Sequence, residues 1–411
     1  MTKKVLKFGG TSVGTIDRIK KVSKIIAFYK KKKNNVLVVS SAMSGVTNEL
    51  VKKSKLISTT FDSAEYDALV STGEQVSCAL IAGRLKHNGF KSRSWTSWQL
   101  PILTDGPHSS SRISSVGIKE LNKYIKSGGI PIITGFQGVS KDLRITTIGR
   151  SGSDATAIML AKYIKADECI IYTDVDGIYT TDPRITEKAR KLNKISFEEM
   201  LELASLGAKV LQTRSVEMAM RFNVKLRVLS SFDNPEPNAG TLVCSEEEIM
   251  ESNVVSGIAH SRDEAKMTLI SVADRPGIAA AIFGPLSEAG VNVDMIIQNI
   301  AEEGRTDMTF SCPTDQVLRA EKALNSAKDE GEINFTQLVA DTNVAKISAV
   351  GIGMRSQSGV AAKMFRTLSN EGINIKVIAT SEIKISVLVD RKYMELAVQS
   401  LHDAFDLEKI T

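Results

Sequence analysis

Residues 4–14 read Lys4-Val5-Leu6-Lys7-Phe8-Gly9-Gly10-Thr11-Ser12-Val13-Gly14, a short apolar run that ends in a lysine and a turn of glycines and hydroxyls. The pattern predicts a strand that breaks at Gly9-Gly10 and then enters a helix. Such a turn leaves several backbone N–H groups pointing one way, and two glycines let the backbone approach a ligand with no Cβ between. Lys7 adds a positive charge, and Thr11 and Ser12 add donors. The turn suits a polyphosphate, but an ordinary β–α connection uses glycine in the same way.

Moving outward, apolar strands alternate with helical stretches as far as about residue 230. Strand candidates are Val5–Phe8, Val36–Val39, Ile130–Thr134, Cys169–Tyr172 and Leu226–Leu229. Amphipathic segments lie between them: Ile16–Tyr29, Tyr66–His87, Ser153–Ile164 and Phe197–Arg221. This alternation predicts an α/β domain around a mainly parallel sheet. Ligands of such sheets sit beyond the carboxyl ends of the strands. Gly9-Gly10, Ser40-Ser41, Gly135-Phe136 and Thr173-Asp174 all fall at those ends, so four turns converge on one edge.

The polar segment 233–240, with two prolines, reads as a boundary. Beyond it lies an internal repeat. Gly277-Ile278-Ala279-Ala280-Ala281-Ile282-Phe283, with Gly290-Val291-Asn292-Val293 behind it, returns 82 residues later as Gly359-Val360-Ala361-Ala362-Lys363-Met364-Phe365 with Gly372-Ile373-Asn374-Ile375. Each copy is flanked by strand-like runs and closed by a second helix candidate, which predicts two small βαββαβ modules. The expected domains are 1–245, 265–340 and 341–411, with 250–264 a possible contributor to the last.

At 411 residues, 42% hydrophobic and 24% charged, the chain has the composition of a soluble protein of two or three domains. No apolar run reaches membrane-spanning length and the first residues lack a secretion-signal profile, so a cytoplasmic protein without membrane association is expected. The net charge of +6 comes partly from Lys30-Lys31-Lys32-Lys33, read as a solvated helix end rather than a nucleic-acid patch. Four cysteines and four histidines are scattered, with no metal-ligand spacing and no Cys/His or Ser/His catalytic pattern. The P-loop and protein-kinase motifs are absent, and Asp174-Val175-Asp176-Gly177 lacks the remaining ligands of an EF-hand.

Two further segments carry chemistry. Gly149-Arg150-Ser151-Gly152-Ser153-Asp154 opens a helix whose N–H groups and dipole favour an anion, and Arg150 can grip a carboxylate through two parallel hydrogen bonds. The plainer reading is that Ser153 or Asp154 caps that helix. Ser71-Thr72-Gly73-Glu74 places a carboxylate at a helix head, either as a dipole partner or as the receiver of a substrate ammonium complementing Arg150.

Taken together, the chain resembles the aspartate kinases of the amino acid kinase superfamily over nearly its whole length. The resemblance rests on Lys7–Ser12, Val39–Met43, Ser71–Glu74, Gly149–Asp154 and Thr173–Arg184 in that order, and the repeat resembles tandem ACT domains. It implies a three-layer amino-acid-kinase-like fold with a mainly parallel central sheet, followed by two ferredoxin-like ACT modules. Ser151 departs from the second glycine usual in the family and would cost about 1 kcal/mol if the position needs a positive φ.

The resemblance also implies roles. Lys7 and Asp154 would be catalytic. Lys7, Gly9, Gly10, Ser12, Thr173, Asp174, Tyr179, Asp182, Arg184 and Lys209 would hold ATP with its Mg²⁺, with no protein metal cage. Ser41, Thr47, Glu74, Gly135, Phe136, Arg150 and Ser153 would hold L-aspartate. An allosteric lysine or threonine would sit among Asp274, Gly277, Ile278, Ala279, Asn292, Val293, Asp294 and Gln298 of the first module and Val360, Ala361, Asn374, Ile375, Ser381 and Glu382 of the second. Lys376 stands where the first copy has Asp294, so the effector pocket is expected mainly in the first module. A homo-oligomer joined through the ACT modules is expected, with no fused homoserine dehydrogenase beyond Thr411. Alternatives are another carboxylate or carbamate kinase of the superfamily, or a non-catalytic amino-acid-binding regulator.

Overall fold

The sheet of the amino-terminal unit follows from how its apolar runs divide between two faces. Strands are β1 (Lys3–Phe8), β2 (Asn35–Ser40), β3 (Ser92–Trp95), β4 (Ile102–Thr104), β5 (Ile113–Val116), β6 (Ile130–Thr134), β7 (Gln137–Val139), β8 (Ile145–Thr147), β9 (Glu168–Thr173), β10 (Lys194–Ser196), β11 (Leu226–Ser230) and β12 (Thr241–Cys244). Helices are α1 (Ile16–Lys31), α2 (Val46–Ile57), α3 (Ser63–Val70), α4 (Thr72–His87), α5 (Lys119–Lys126), α6 (Gly152–Ile164), α7 (Phe197–Ser205) and α8 (Thr213–Phe222). The computed structural model describes residues 2–206, 210–236, 239–249, 253–299, 304–355 and 357–409.

The main sheet runs β10-β12-β11-β9-β1-β2-β6-β3, parallel except where β12 opposes β11. Alternate residues feed different cores, because successive side chains of a strand point to opposite faces. Val5, Leu37, Val39, Ile133, Cys169 and Ile171 pack with α5–α8. Leu6, Phe8, Val36, Val38, Ile132, Ile170 and Tyr172 pack with α1 and α4. Helices thus cover both faces, giving three layers, and the continuous apolar character of the central strands follows from that double burial.

A second sheet, β5-β4-β7-β8, was not anticipated. Its strands are three or four residues long and rich in serine and threonine, too short for any alternation to register. The expected segment Tyr66–His87 is two helices, α3 and α4, parted at Ser71. The Ser71 carbonyl is taken at 2.9 Å by Gln137 Nε2, and a Cβ on Gly73 would stand 2.8 Å from that of Ala42. Tertiary contacts therefore end a run whose periodicity continues. Phe197–Arg221 likewise divides into α7 and α8.

The carboxy-terminal region contains β13 (Gly257–Ala273), α9 (Ile278–Glu288), β14 (Ile296–Gln298), β15 (Arg305–Cys312), α10 (Val317–Asp329), β16 (Gln337–Val350), α11 (Val360–Asn370), β17 (Ile375–Thr380), β18 (Lys384–Asp390) and α12 (Met394–Ala404). Both repeats share one sheet, β14-β15-β13-β16-β18-β17, in which β13 and β16 lie side by side. Each long strand serves both repeats. The first core draws Leu338 and Ala340 from the start of β16, and the second draws Ile258 from the start of β13, together with Val255. The closing strand of each module therefore comes from the entry strand of the other.

The second module docks on the kinase unit. Glu199, 2% exposed, completes a capping box at α7: its Oε2 accepts from Ser196 N–H at 3.1 Å and Ser196 Oγ at 2.9 Å. Its Oε1 accepts from Ser256 Oγ at 2.6 Å and Ile352 N–H at 3.0 Å. Thr180 bonds His402 at 2.9 Å and Ile258 N–H at 2.7 Å, and Lys384 pairs with Glu202 at 2.8 Å. Glu199→Ala would strand several buried donors, each costing about 1–3 kcal/mol. We expect a loss of about 3 kcal/mol in chemical denaturation; an unchanged midpoint would remove Glu199 as the tie between the two units.

Candidate active site

The carboxyl ends of β11, β9, β1, β2 and β6 lie next to one another, because these strands are parallel neighbours. The turns that leave β1, β2 and β6 meet the heads of α4 and α6 around a cavity of about 330 Å³. Its wall includes Lys7, Gly10, Ser41, Thr47, Glu74, Phe136, Arg150, Ser153 and Asp154, which brings together most of the residues expected to handle substrate and phosphate. Met43, Ser44, Gly45 and Asn48 also line it and were not anticipated. The available signal was Gly45, which follows Ser40, Ser41 and Ser44 in the sequence and heads α2 at φ +86°.

Lys7 shares the sheet face of Val5, the face that α6 covers, and so meets the first turn of that helix. Its Nζ lies 2.6 Å from Asp154 Oδ1, with both side chains largely buried. The contact is ionic rather than a well-aligned hydrogen bond, so Oδ1 keeps unused acceptor capacity. Gly10 is required for close approach: a Cβ there would come within 3.1 Å of the Ala42 carbonyl. Gly9 donates to the Tyr172 carbonyl at 3.3 Å. Ser12 is fully buried and its hydroxyl donates at 3.4 Å to the same carbonyl, so it faces inward rather than into the cavity.

The segment before α6 is bent through left-handed conformations at Gly149 (φ +76°) and Ser151 (φ +59°), and Phe136 opposite is at φ +69°. The positive φ at Ser151 means that serine carries the strain cost of about 1 kcal/mol there. Ser151 is the N-cap and makes no side-chain cap bond, so neither Ser153 nor Asp154 acts as the cap. In the first turn of α6, Gly152 N–H bonds the Gly149 carbonyl and Ala155 N–H the Ser151 carbonyl, each at 3.0 Å, while the N–H groups between them lie where a helix has no acceptor of its own. Arg150 is exposed at the cavity and forms no ion pair among the described residues.

Glu74 is 3% exposed. Its Oε1 accepts from Ala42 N–H at 3.1 Å, while Oε2 has no partner. Burial pushes its carboxyl up to about 7, partly countered by the Ala42 bond. A cation entering beside Oε2 would favour the ionised form.

The residues expected around the nucleotide are less concentrated. Thr173 ends β9 and its hydroxyl donates to the next residue, Asp174, at 3.0 Å, and Tyr179 donates to Asp176 at 2.9 Å. Asp182 pairs with Arg184, whose side chain is 88% exposed, on the segment that contacts the second module. None of these lines the cavity, and Lys209 lies outside the described residues.

In the first module, Gln298 donates to Asp274 at 3.4 Å, Asn292 N–H bonds Gln316, and Gly277, Ile278 and Ala279 turn into α9. Asp294 is already paired with Lys346 at 2.7 Å, which also meets buried Glu264, and Val293 packs on the first core. Lys376 pairs with Asp341 and Asp390. In the second module, Val360 and Ala361 head α11, Ile375 begins β17 behind exposed Asn374, Ser381 N–H bonds the Lys384 carbonyl, and Glu382 lies 3.4 Å from Arg355. A second cavity of about 410 Å³ opens at Gly359-Val360, between Asn253–Val255 and Phe405–Lys409.

The comparisons agree with this geometry. Residues 2–230 match the amino acid kinase family, and 266–329 and 347–405 each match an ACT domain. The chain belongs to the amino acid kinase family. It is 50% identical over 405 residues to an aspartate kinase of Stutzerimonas stutzeri, covering 98% of this chain and 97% of that one. Two crystal structures of E. coli aspartokinase III are each 26% identical over 98% of this chain and 99% of their own. The complex with lysine and aspartate (T-state) superposes with a TM-score of 0.78, and the complex with aspartate and ADP (R-state) with 0.76. Within the family the chain falls among the aspartate kinases, as an enzyme with two ACT regulatory domains.

A carboxyl raised on folding stabilises the fold fully below its unfolded pKa, and loses that contribution as pH rises through its folded pKa. For Glu74 the window runs from about 4.5 to about 7, worth on the order of 3 kcal/mol. The unliganded protein is expected to lose melting temperature from pH 5 to pH 8, and Glu74→Gln to lose distinctly less. Parallel pH profiles for the two proteins would refute this.

Proposed function

We propose that the cavity holds L-aspartate beside the phosphate tail of ATP and transfers the γ-phosphoryl group to the side-chain carboxylate, giving 4-phospho-L-aspartate. The observation that carries this reading is the unpartnered, buried Oε2 of Glu74, set in the same cavity as Lys7 and an uncommitted Arg150. Glu74 would take the α-ammonium and Arg150 the α-carboxylate, with Ser41, Thr47 and Ser153 adding hydroxyls. An oxygen of the ionised β-carboxylate forms the new bond to phosphorus as the bridging oxygen–phosphorus bond breaks and ADP leaves with that electron pair. A carboxylate ionised at neutral pH needs no general base, so positioning and charge neutralisation suffice. Lys7 would neutralise charge on the transferring group, and Asp154 would orient Lys7. Mg²⁺ carried by ATP supplies further neutralisation of the triphosphate. The spare acceptor capacity of Asp154 beside Lys7 suits such a cation-bearing tail.

The E. coli neighbour described with aspartate and ADP supports the substrate pair, and the one with lysine supports an amino-acid effector. The reaction would be the first step toward lysine, threonine and methionine, carried out in the cytoplasm, with lysine or threonine binding the ACT modules and shifting the population toward a less active state. Ile296 and Ile378, exposed on the two edge strands of the shared sheet, suit pairing with a second copy.

Removing a donor aimed at transition-state charge typically costs about 10²–10³ in kcat. We expect that loss for Lys7→Ala in a coupled ADP-release assay; full turnover by the folded variant would refute the role of Lys7. Arg150→Ala is expected mainly to raise KM for L-aspartate. Lysine or threonine, alone or together, should lower wild-type activity, and indifference to both would remove the effector assignment.

A further inference from the structure

We propose that Asp67 is a positioning residue that fixes the spacing between the group meeting the substrate's ammonium and the group meeting its α-carboxylate. The inference rests on the reading of Glu74 and Arg150 given above. Asp67 lies in α3, is 0% exposed and does not line the cavity, so it cannot touch substrate.

Its carboxylate is surrounded by partners from two other segments. Oδ1 accepts from Thr147 Oγ1 at 2.6 Å and Ser109 Oγ at 3.3 Å. Oδ2 accepts from Thr147 N–H at 2.9 Å and lies 2.8 Å from His108 Nδ1. Ser109 N–H is shared between the two oxygens at 3.1 and 3.0 Å. A carboxylate is acceptor-only when ionised and suits such a donor set, whereas an amide would turn two N–H donors toward other donors.

Two of these partners, Thr147 and Ser109, lead to the cavity. Thr147 ends β8, three residues before Arg150, and its carbonyl accepts from Ser111 N–H at 3.0 Å. Ser109 is held at φ +65° and places its carbonyl against Gly149, where a Cβ would stand 3.1 Å away. Ile148, between Thr147 and Gly149, is bonded on both sides: its N–H donates to Phe136 O at 2.9 Å and its carbonyl accepts from Arg214 Nη1 at 2.8 Å. On the other side, the Asp67 carbonyl accepts from Ser71 N–H at 3.2 Å at the junction into α4, whose first turn carries Glu74. One buried carboxylate thus joins the helix head bearing Glu74 to the strained turn bearing Arg150. Moving either part relative to the other changes the length of amino acid that fits, and displacements of about 1 Å in such frames are costly.

The test uses Asp67→Asn and the milder Thr147→Val in the full chain, measuring KM for L-aspartate and ATP separately and kcat/KM for L-aspartate against L-glutamate. We expect Asp67→Asn to raise KM for L-aspartate about tenfold or more, with KM for ATP within about twofold. Thr147→Val should move the same constant in the same direction by less, and both should narrow the preference for L-aspartate over L-glutamate. A purely structural role would lower melting temperature without moving that ratio. If Asp67→Asn does not fold, Thr147→Val decides alone. The proposal is overturned if the folded variants keep KM for L-aspartate and the preference, or if both KM values shift equally. Arg150→Ala is the control: if it too leaves KM for L-aspartate unchanged, the reading of the site fails rather than the role of Asp67.

Discussion

The ion pair between Lys7 and Asp154 ties the central strand to the helix that covers it, and the chemistry proposed for the site depends on that meeting. β1 is flanked by β2 and β9 and its middle is buried on both faces, so its charged side chains lie toward its ends, Lys3 and Lys4 at one and Lys7, beside the cavity, at the other. A largely buried pair of this kind adds little net stability, because desolvation of both charges offsets their attraction. Its proposed consequence is functional instead: Asp154 holds the ammonium at the rim while retaining acceptor capacity, and on the reading given above an incoming phosphate would compete for a cation already in place. The parallel order of the strands then determines which turns share that rim.

Much of this frame was legible in the sequence because its signals were local and repeated. The runs Val5–Phe8, Val36–Val39 and Cys169–Tyr172 read as strands since burial on both faces demands continuous apolar character. Lys7, Glu74, Arg150 and Asp154 were legible because each lies in or beside a glycine or hydroxyl turn at a strand or helix end. The break at Ser71 was not, since its causes are Gln137, 66 positions away in the chain, and the crowding of Gly73 on Ala42. The inward turn of Ser12 was hidden similarly: a hydroxyl in a phosphate-like turn reads as a donor until the Tyr172 carbonyl is found beneath it.

The regulatory half shows a different limit. The 82-residue repeat announced two modules, but a repeat describes contiguous units, whereas β13 and β16 are each divided between two cores. A strand long enough to cross both modules carries no sequence mark of where one core ends. That exchange matters for coupling. Neither module can shift without moving a strand of the other, and the second is the one bonded to α7 and to the segment after β9. A change that begins in the first module has a physical route to the kinase unit through the shared sheet.

Three buried carboxylates separate by one criterion, the donors each has against the acceptors it offers. Glu199 and Asp67 have every oxygen engaged, by groups drawn from different parts of the chain, and such groups hold segments together. Glu74 is equally buried but has a single backbone donor and one bare oxygen. An unmet buried acceptor is costly in a folded protein, and a cavity beside it gives the deficit a means of relief. A carboxylate at similar depth is therefore a tie in two places and, on the proposed reading, a binding group in the third. The distinction lies in the partners, which sequence spacing does not display.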